Sequence, residues 1–192
     1  MRAFVALEMP ATIQQALREI AADLRKKLNG LPLRWLPIEN IHLTLKFLGE
    51  ISESSLDSIS ALLEAQANTI QPFEIRLAGT GVFPNSRRPN VVWVGIDAPE
   101  SLLHLQQGIE NDLSDLGFPK EQRKFSPHLT LARVQRNAHP RDLERIGDDI
   151  KLLKVVTSAT ALVDKITLFS SELRPSGAVY HPLSQSRFAA AT

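Results

Sequence analysis

The chain has no cysteine among its 192 residues. Disulfide frameworks and thiolate metal centres are thereby excluded, and the composition suits a reducing compartment. An excess of charge is also missing: 22 Lys and Arg face 21 Asp and Glu, a formal net charge of +1. No overall basic field draws the chain to polyanions, so any nucleic-acid contact must rest on a local patch. Long hydrophobic runs are absent too. Glu8 interrupts the apolar start too early for a signal-peptide core, and no stretch approaches the ~20 apolar residues that span a bilayer. No His-Glu-x-x-His pattern occurs and no carboxylates stand at metal-ligand spacing, so no metal and no cofactor are expected. What remains is an ordinary globular composition, 43% hydrophobic and 22% charged, in a chain long enough to bury a core. The cytoplasm is the expected compartment, with no membrane partner and a monomeric state.

Against this plain background one tetrapeptide, His-Leu-Thr-Leu, occurs twice, at His42–Leu45 and His128–Leu131. Only five histidines and nine threonines are present, so the repetition is no accident of composition. In a strand, side chains alternate faces. His42 and Thr44 then share one face and Leu43 and Leu45 the other, and likewise for His128 and Thr130 against Leu129 and Leu131. Each motif predicts a strand with an apolar back to bury and a front carrying one imidazole and one hydroxyl. Two such fronts around one cavity supply two proton-transfer groups, because an imidazole with a pKa near 6.5 serves as acid or base at neutrality. Thr hydroxyls can donate to the oxygens of a phosphoryl group and stabilise its transition-state charge. An enzyme is the expected class.

The surrounding elements form two similar series. Arg2–Glu8 has strand character, and Pro10 opens a helix whose stripe is Ile13, Leu17, Ile20, Leu24 and Leu28, stopped by Asn29-Gly30. Leu33–Leu36 and Ile41–Leu48 predict a pair of strands. Ser52 is the expected N-cap of a helix with Leu56, Ile59 and Leu63 inward, and Phe73–Phe83 returns to strand. The second half then repeats the order. Val91–Ile96 is a strand, and a helix from Pro99-Glu100 has Leu102, Leu105, Ile109, Leu113 and Leu116 inward before Gly117. Pro127–Val134 carries the second motif, and Pro140 opens a helix with Leu143, Ile146 and Ile150. Ala159–Leu173 and Ala178–Phe188 are the last strands, joined by a Pro175-Ser176-Gly177 turn. The expected fold is α+β: a duplicated β-α-β-α-β unit with mainly antiparallel sheets, two pseudo-symmetric lobes around a central cleft, and helices outside. One domain, 1–192, is expected, made of pseudo-repeats at about 1–88 and 89–192.

The doubled His-x-Thr-x motif resembles the 2H phosphoesterases, and within them the branch of RNA 2′,3′-cyclic phosphodiesterases, also called 2′-5′ RNA ligases. The likeness covers nearly the whole chain. Arg2-Ala3-Phe4-Val5-Ala6 is similar to the family's first strand, and Arg34-Trp35 with Asn40 through Gly49 to its best-preserved block. Phe83-Pro84 to Arg87-Arg88-Pro89 and Val92-Trp93 resemble the central loop and strand. Ser126 through Arg133 resembles the second motif. The resemblance implies that His42 is the proton donor to the leaving ribose oxygen and His128 the base that activates water. It further implies that Thr44, Thr130 and Arg133 hold the phosphate and that Phe47 stacks on a base. The implied substrate and partner is RNA ending in a 2′,3′-cyclic phosphate, opened to a 2′-phosphate without metal, with ATP-independent ligation as the reverse.

Strand parity qualifies two of these roles. It places Lys46, not Phe47, on the His42 face, and it puts Arg133 out of phase with His128. A bulge at the strand ends would redirect them; without one, Lys46 is the better cleft residue. Arg34, Arg87, Arg88, Arg123 and Lys124 are loop-placed cations that either steer RNA phosphates or are ordinary solvated charges. His104 reads as a surface residue, His139 as a helix-start residue, and His181 has no assigned role. Two other readings stand beside the main one. The first is a cyclic phosphodiesterase acting on small nucleotides or ADP-ribose cyclic phosphate, and the second a non-catalytic RNA-binding protein.

Overall fold

The computed structural model describes residues 1–153, 159–175 and 177–190. Each long apolar stripe folds as a helix: α1 (Ala11–Lys27), α2 (Leu56–Ala67), α3 (Glu100–Asp115) and α4 (Pro140–Leu152). The strands are β1 (Arg2–Glu8), β2 (Leu33–Trp35), β3 (His42–Glu50), β4 (Phe73–Phe83) and β5 (Val91–Asp97). They continue with β6 (His128–Val134), β7 (Thr160–Val163), β8 (Lys165–Arg174) and β9 (Gly177–Arg187). They form two antiparallel sheets, ordered β3-β1-β8-β9 and β2-β6-β5-β4-β7. The α+β class is as expected.

The duplication is visible in the pairing. The series β3-β1-β8-β9 and β6-β5-β4-β7 have the same antiparallel neighbours, with β2 added beside β6. The halves nevertheless exchange strands. β4, from the first half, lies in the second sheet, while β8 and β9 return to complete the first. Neither sheet is built from one half alone, so the lobes do not coincide with the two stretches of sequence.

This exchange corrects the reading of Ala159–Leu173 as one strand. The strand breaks at Asp164: Val163 pairs with Phe73 in the second sheet, and Lys165 with Arg187 in the first. In the turn expected between the last two strands, Ser176 lies outside the described residues. β2 also differs from expectation, since it pairs with β6 rather than with β3. Ser52 precedes a 3-10 turn, Glu53–Ser55, and Ser55 is the N-cap of α2. The Ser52 hydroxyl meets those of Ser54 and Ser55 at 2.8 Å instead of capping a backbone N–H. Leu116 lies past the end of α3 and is exposed.

One hydrophobic cluster gathers the inner stripes of all four helices and the backs of the strands, from Ala3 to Phe188. Leu43, Leu45, Leu129 and Leu131 are all buried in it. At about 1.5–3 kcal/mol for each buried leucine, the motif strands are pinned by their backs, and His42 and His128 are turned away from the core. A smaller cluster of Phe4, Ala6 and Phe169, with Tyr180 against it, lies apart from the main one. Among the described residues no helix is long and apolar enough to cross a membrane.

Candidate active site

β3 is the edge strand of the first sheet and lies alongside β6 of the second. Both strands are interrupted at the same point. Val5 and Ala6 of β1 face Lys46 and Thr44, which leaves Leu45 as an extra residue in β3. Val92 and Trp93 of β5 face Ala132 and Thr130, which leaves Leu131 as an extra residue in β6. A bulge of this kind resets the alternation of faces. Beyond it Phe47 emerges on the His42 face, 70% exposed, and Arg133 on the His128 face. The parity argument for Lys46 is overturned by the same bulge. Lys46 is turned into the core and only 5% exposed, ion-paired with Glu110 of α3, so it is not a cleft residue.

Each imidazole is held by the backbone two residues before it. His42 Nδ1 is 3.0 Å from the carbonyl oxygen of Asn40, which ends a 3-10 turn (Ile38–Asn40). His128 Nδ1 is 2.7 Å from the carbonyl oxygen of Ser126. A carbonyl only accepts, so in both rings Nδ1 carries the proton and donates it. Nε2 is left as the exchangeable position on each ring, a base when neutral and an acid when charged.

The surroundings differ. His42 stacks on Phe4 with centroids 4.6 Å apart and meets Tyr180 edge-on at 5.0 Å, and Phe169 lies beside both rings, 5.3 Å from Phe4 and 6.0 Å from His42. Phe47 touches the same group, 6.1 Å from Phe4. His128 meets the edge of Phe83 at 4.8 Å, with Trp93 at 6.3 Å. Burial in its aromatic surroundings pushes His42 down to about 4, against the opposing pull of the Asn40 carbonyl. Burial also lowers His128, opposed by the Ser126 carbonyl and reinforced by the positive charge of Arg133. In the free protein both rings are neutral at pH 7.

Arg34 of β2 stands directly opposite Arg133 of β6, so the two guanidinium side chains leave the sheet on the same face. Like charges in that position repel, and among the described residues neither has a carboxylate partner. Arg123, by contrast, is paired with Glu121. Arg87 and Arg88 follow Asn85, whose side-chain oxygen accepts both of their backbone N–H groups. His104 is exposed beside Glu100, and His181 is on the surface near Glu172. His139 precedes α4 without a side-chain cap. Among the described residues no three His, Asp or Glu side chains come together as a metal site.

Several contributors left no local trace in the sequence. The Asn40 and Ser126 carbonyls are backbone atoms, and their one common mark is a position two residues before each histidine. Phe169 and Tyr180 reach His42 only because β8 and β9 join the first sheet.

Known proteins match this chain along its whole length. The RNA 2′,3′-cyclic phosphodiesterase of Methanothermobacter thermautotrophicus is 32% identical over 179 residues, covering 93% of this chain and 94% of that one. The protein of the same name from Methanocaldococcus jannaschii is 34% identical over 185 residues, covering 96% and 99%. Among solved structures, TT0787 of Thermus thermophilus superposes with a TM-score of 0.83 at 30% identity, covering all of both chains. E. coli LigT complexed with 3′-AMP gives 0.76 at 25% identity over 97% of each. The model of the LigT-like phosphoesterases matches twice in succession, at residues 7–93 and 94–180. With one histidine motif in each matched half, the chain belongs to the LigT-like phosphoesterases.

Proposed function

We propose that this protein hydrolyses the 2′,3′-cyclic phosphate at RNA 3′ ends to a 2′-phosphate, using its two histidines and no metal. The observation that carries this reading is the matched pair of histidines. Each has Nδ1 committed to a backbone carbonyl, Nε2 free, and a threonine two residues on. His128 Nε2 takes a proton from water as the water oxygen bonds to phosphorus. The bond from phosphorus to the ribose 3′ oxygen breaks, and His42 Nε2–H protonates that oxygen. Thr44 and Thr130 donate to the non-bridging oxygens, and Arg133 adds positive charge as negative charge grows.

The electrostatics support this division of labour. Beside burial, Arg133 disfavours a second positive charge on His128 and keeps it a base. His42 is lowered by burial alone, against the pull of the Asn40 carbonyl. Its low value belongs to the free protein, and a bound phosphodiester anion favours the imidazolium. The names of the relatives, RNA 2′,3′-cyclic phosphodiesterase, support RNA as the substrate. So do exposed Phe47 as a stacking surface and the unpaired Arg34 and Arg133 as a site for phosphates. With a 5′ hydroxyl in place of water as the nucleophile, the same two proton transfers open the cyclic phosphate to a 2′-5′ linkage without ATP.

The test compares a short RNA ending in a 2′,3′-cyclic phosphate with a 2′,3′-cyclic mononucleotide, each with and without EDTA. Faster turnover of the RNA, a 2′-phosphate product and indifference to chelation are expected. Preference for the mononucleotide would make the protein a small-substrate enzyme. Activity lost to EDTA and restored by a divalent ion would falsify the metal-free mechanism.

A further inference from the structure

Lys46 and Glu110 are the only charged side chains that are buried among the described residues, at 5% and 6% exposure. Lys46 Nζ donates to Glu110 Oε1 at 2.5 Å and to the Pro119 carbonyl at 2.6 Å. Glu110 Oε1 also accepts the backbone N–H of Glu121 at 2.7 Å, and Gln106 donates to its other oxygen at 3.4 Å. A buried ion pair is weak evidence for stability, since its desolvation commonly matches the attraction and apolar residues serve as well. This chain contains its own control. The offset of 86 that separates the two histidines takes Lys46 to Ala132, which follows the equivalent bulge and is fully buried without any charge. Packing at that position therefore does not need a lysine.

What the pair holds is the chain between α3 and β6. Residues 118–127 contain no helix or strand, and two of their backbone groups, the Pro119 carbonyl and the Glu121 N–H, end on this pair. Ser126, whose carbonyl fixes His128 Nδ1, follows five residues after Glu121. At the other end of the pair, Lys46 lies in the strand of His42, between Thr44 and Phe47.

We propose that Lys46 and Glu110 are positioning residues: their buried pair ties the segment leading to His128 to the strand of His42, so that His128 keeps one tautomer and the two imidazoles one mutual placement. The inference rests on the proposed roles of the two histidines. Its immediate consequence is visible without substrate, in which ring nitrogen of His128 carries the proton.

The test is the neutral pair Lys46→Met with Glu110→Gln, in which the glutamine oxygen still accepts the Glu121 N–H but the Pro119 carbonyl loses its donor. Nitrogen NMR of the histidine side chains reads the tautomer of each ring, and kinetics on a 2′,3′-cyclic mononucleotide separates kcat from KM. His128 should become a mixture of tautomers while His42 stays protonated at Nδ1. The kcat should fall by about 10–10²-fold, the effect of a small misplacement of a reacting group, with KM within about twofold. Keeping both charges, as Lys46→Arg with Glu110 intact, should retain most of the kcat. A folded variant with His128 still in one tautomer and wild-type kcat would overturn the proposal. If the double variant does not fold, Lys46→Met alone, which also removes the donor to the Pro119 carbonyl, gives the same tautomer readout. Should the wild-type protein hydrolyse no cyclic phosphate at all, the proposed function fails, and the tautomer of His128 in the variants still decides this inference.

Discussion

The two motif strands, β3 and β6, share their first four residues and then part. Both begin with a histidine locked by a carbonyl two residues back, both bury the same two leucines, and both bulge after the threonine. After the bulge β3 has Lys46 inward and Phe47 outward, where β6 has Ala132 and Arg133. His42 is enclosed by Phe4 and Tyr180, whereas His128 shares its face with a guanidinium. In the proposed mechanism the shared part places two proton-transfer groups, and the unshared part gives them different work. Repetition supplies geometry; divergence supplies chemistry.

The strongest way to break this comparison is to remove each ring in turn. His42→Ala and His128→Ala should each lose about 10²–10⁴-fold in kcat. The double variant should fall far less than the product of the single losses, because the rings act as one unit. A substrate whose leaving oxygen needs little protonation should rescue His42→Ala and not His128→Ala. Rescue of the other variant would reverse the assigned roles.

Arg133→Met should sharpen it next. Losing a charge that stabilises the transition state costs about 10²–10³-fold, here read as kcat. The sign of the pH effect is fixed as well: on top of burial, the guanidinium lowers His128, so its removal raises the pKa. The acid limb of the rate profile, where the base must be neutral, should move to higher pH. An unmoved limb would show that Arg133 does not act on His128.

A third test concerns His42 alone. As the proposed acid it must be protonated, so its ionisation would set the alkaline limb. The limb in kcat, which reports the substrate complex, should lie at higher pH than the limb in kcat/KM, which reports the free enzyme. Coincident limbs would mean that the bound phosphate leaves the imidazole unaffected.

How far these features could be read from sequence alone depends on the range of the forces behind them. The helices and motif strands were legible because Leu17, Ile59, Ile109 and the four motif leucines obey periods of 3.6 or 2, which are local. The bulges were not, since an extra residue exists only relative to the partner strand. For that reason Lys46 was drawn toward the cleft by parity although it is buried against Glu110. The break at Asp164 and the aromatic walls of His42 were hidden in the same way, being consequences of which sheet β8 joins. Resemblance to a family supplied Phe47 and Arg133 where periodicity pointed the other way.

The smallest expected effect separates stability from activity. Folded His42, held at about 4, refuses a proton that the unfolded chain accepts near 6.5. The unfolded state then binds more protons between those values, and stability falls as pH drops through that window. The full difference is on the order of 3 kcal/mol. His42→Gln does not titrate, so its melting temperature should decline less between pH 6.5 and 4 than the wild type's. Parallel declines would show that the ring takes no part in acid lability.

The exchange of strands between the sheets also sets the order in which the surroundings of the two histidines can be completed as the chain is made. Phe169 and Tyr180, the late-made walls around His42, emerge from the ribosome long after the first motif, and β4 must wait for β5 before it has a sheet to join. A nascent chain that already contains both histidines still has one of them unenclosed.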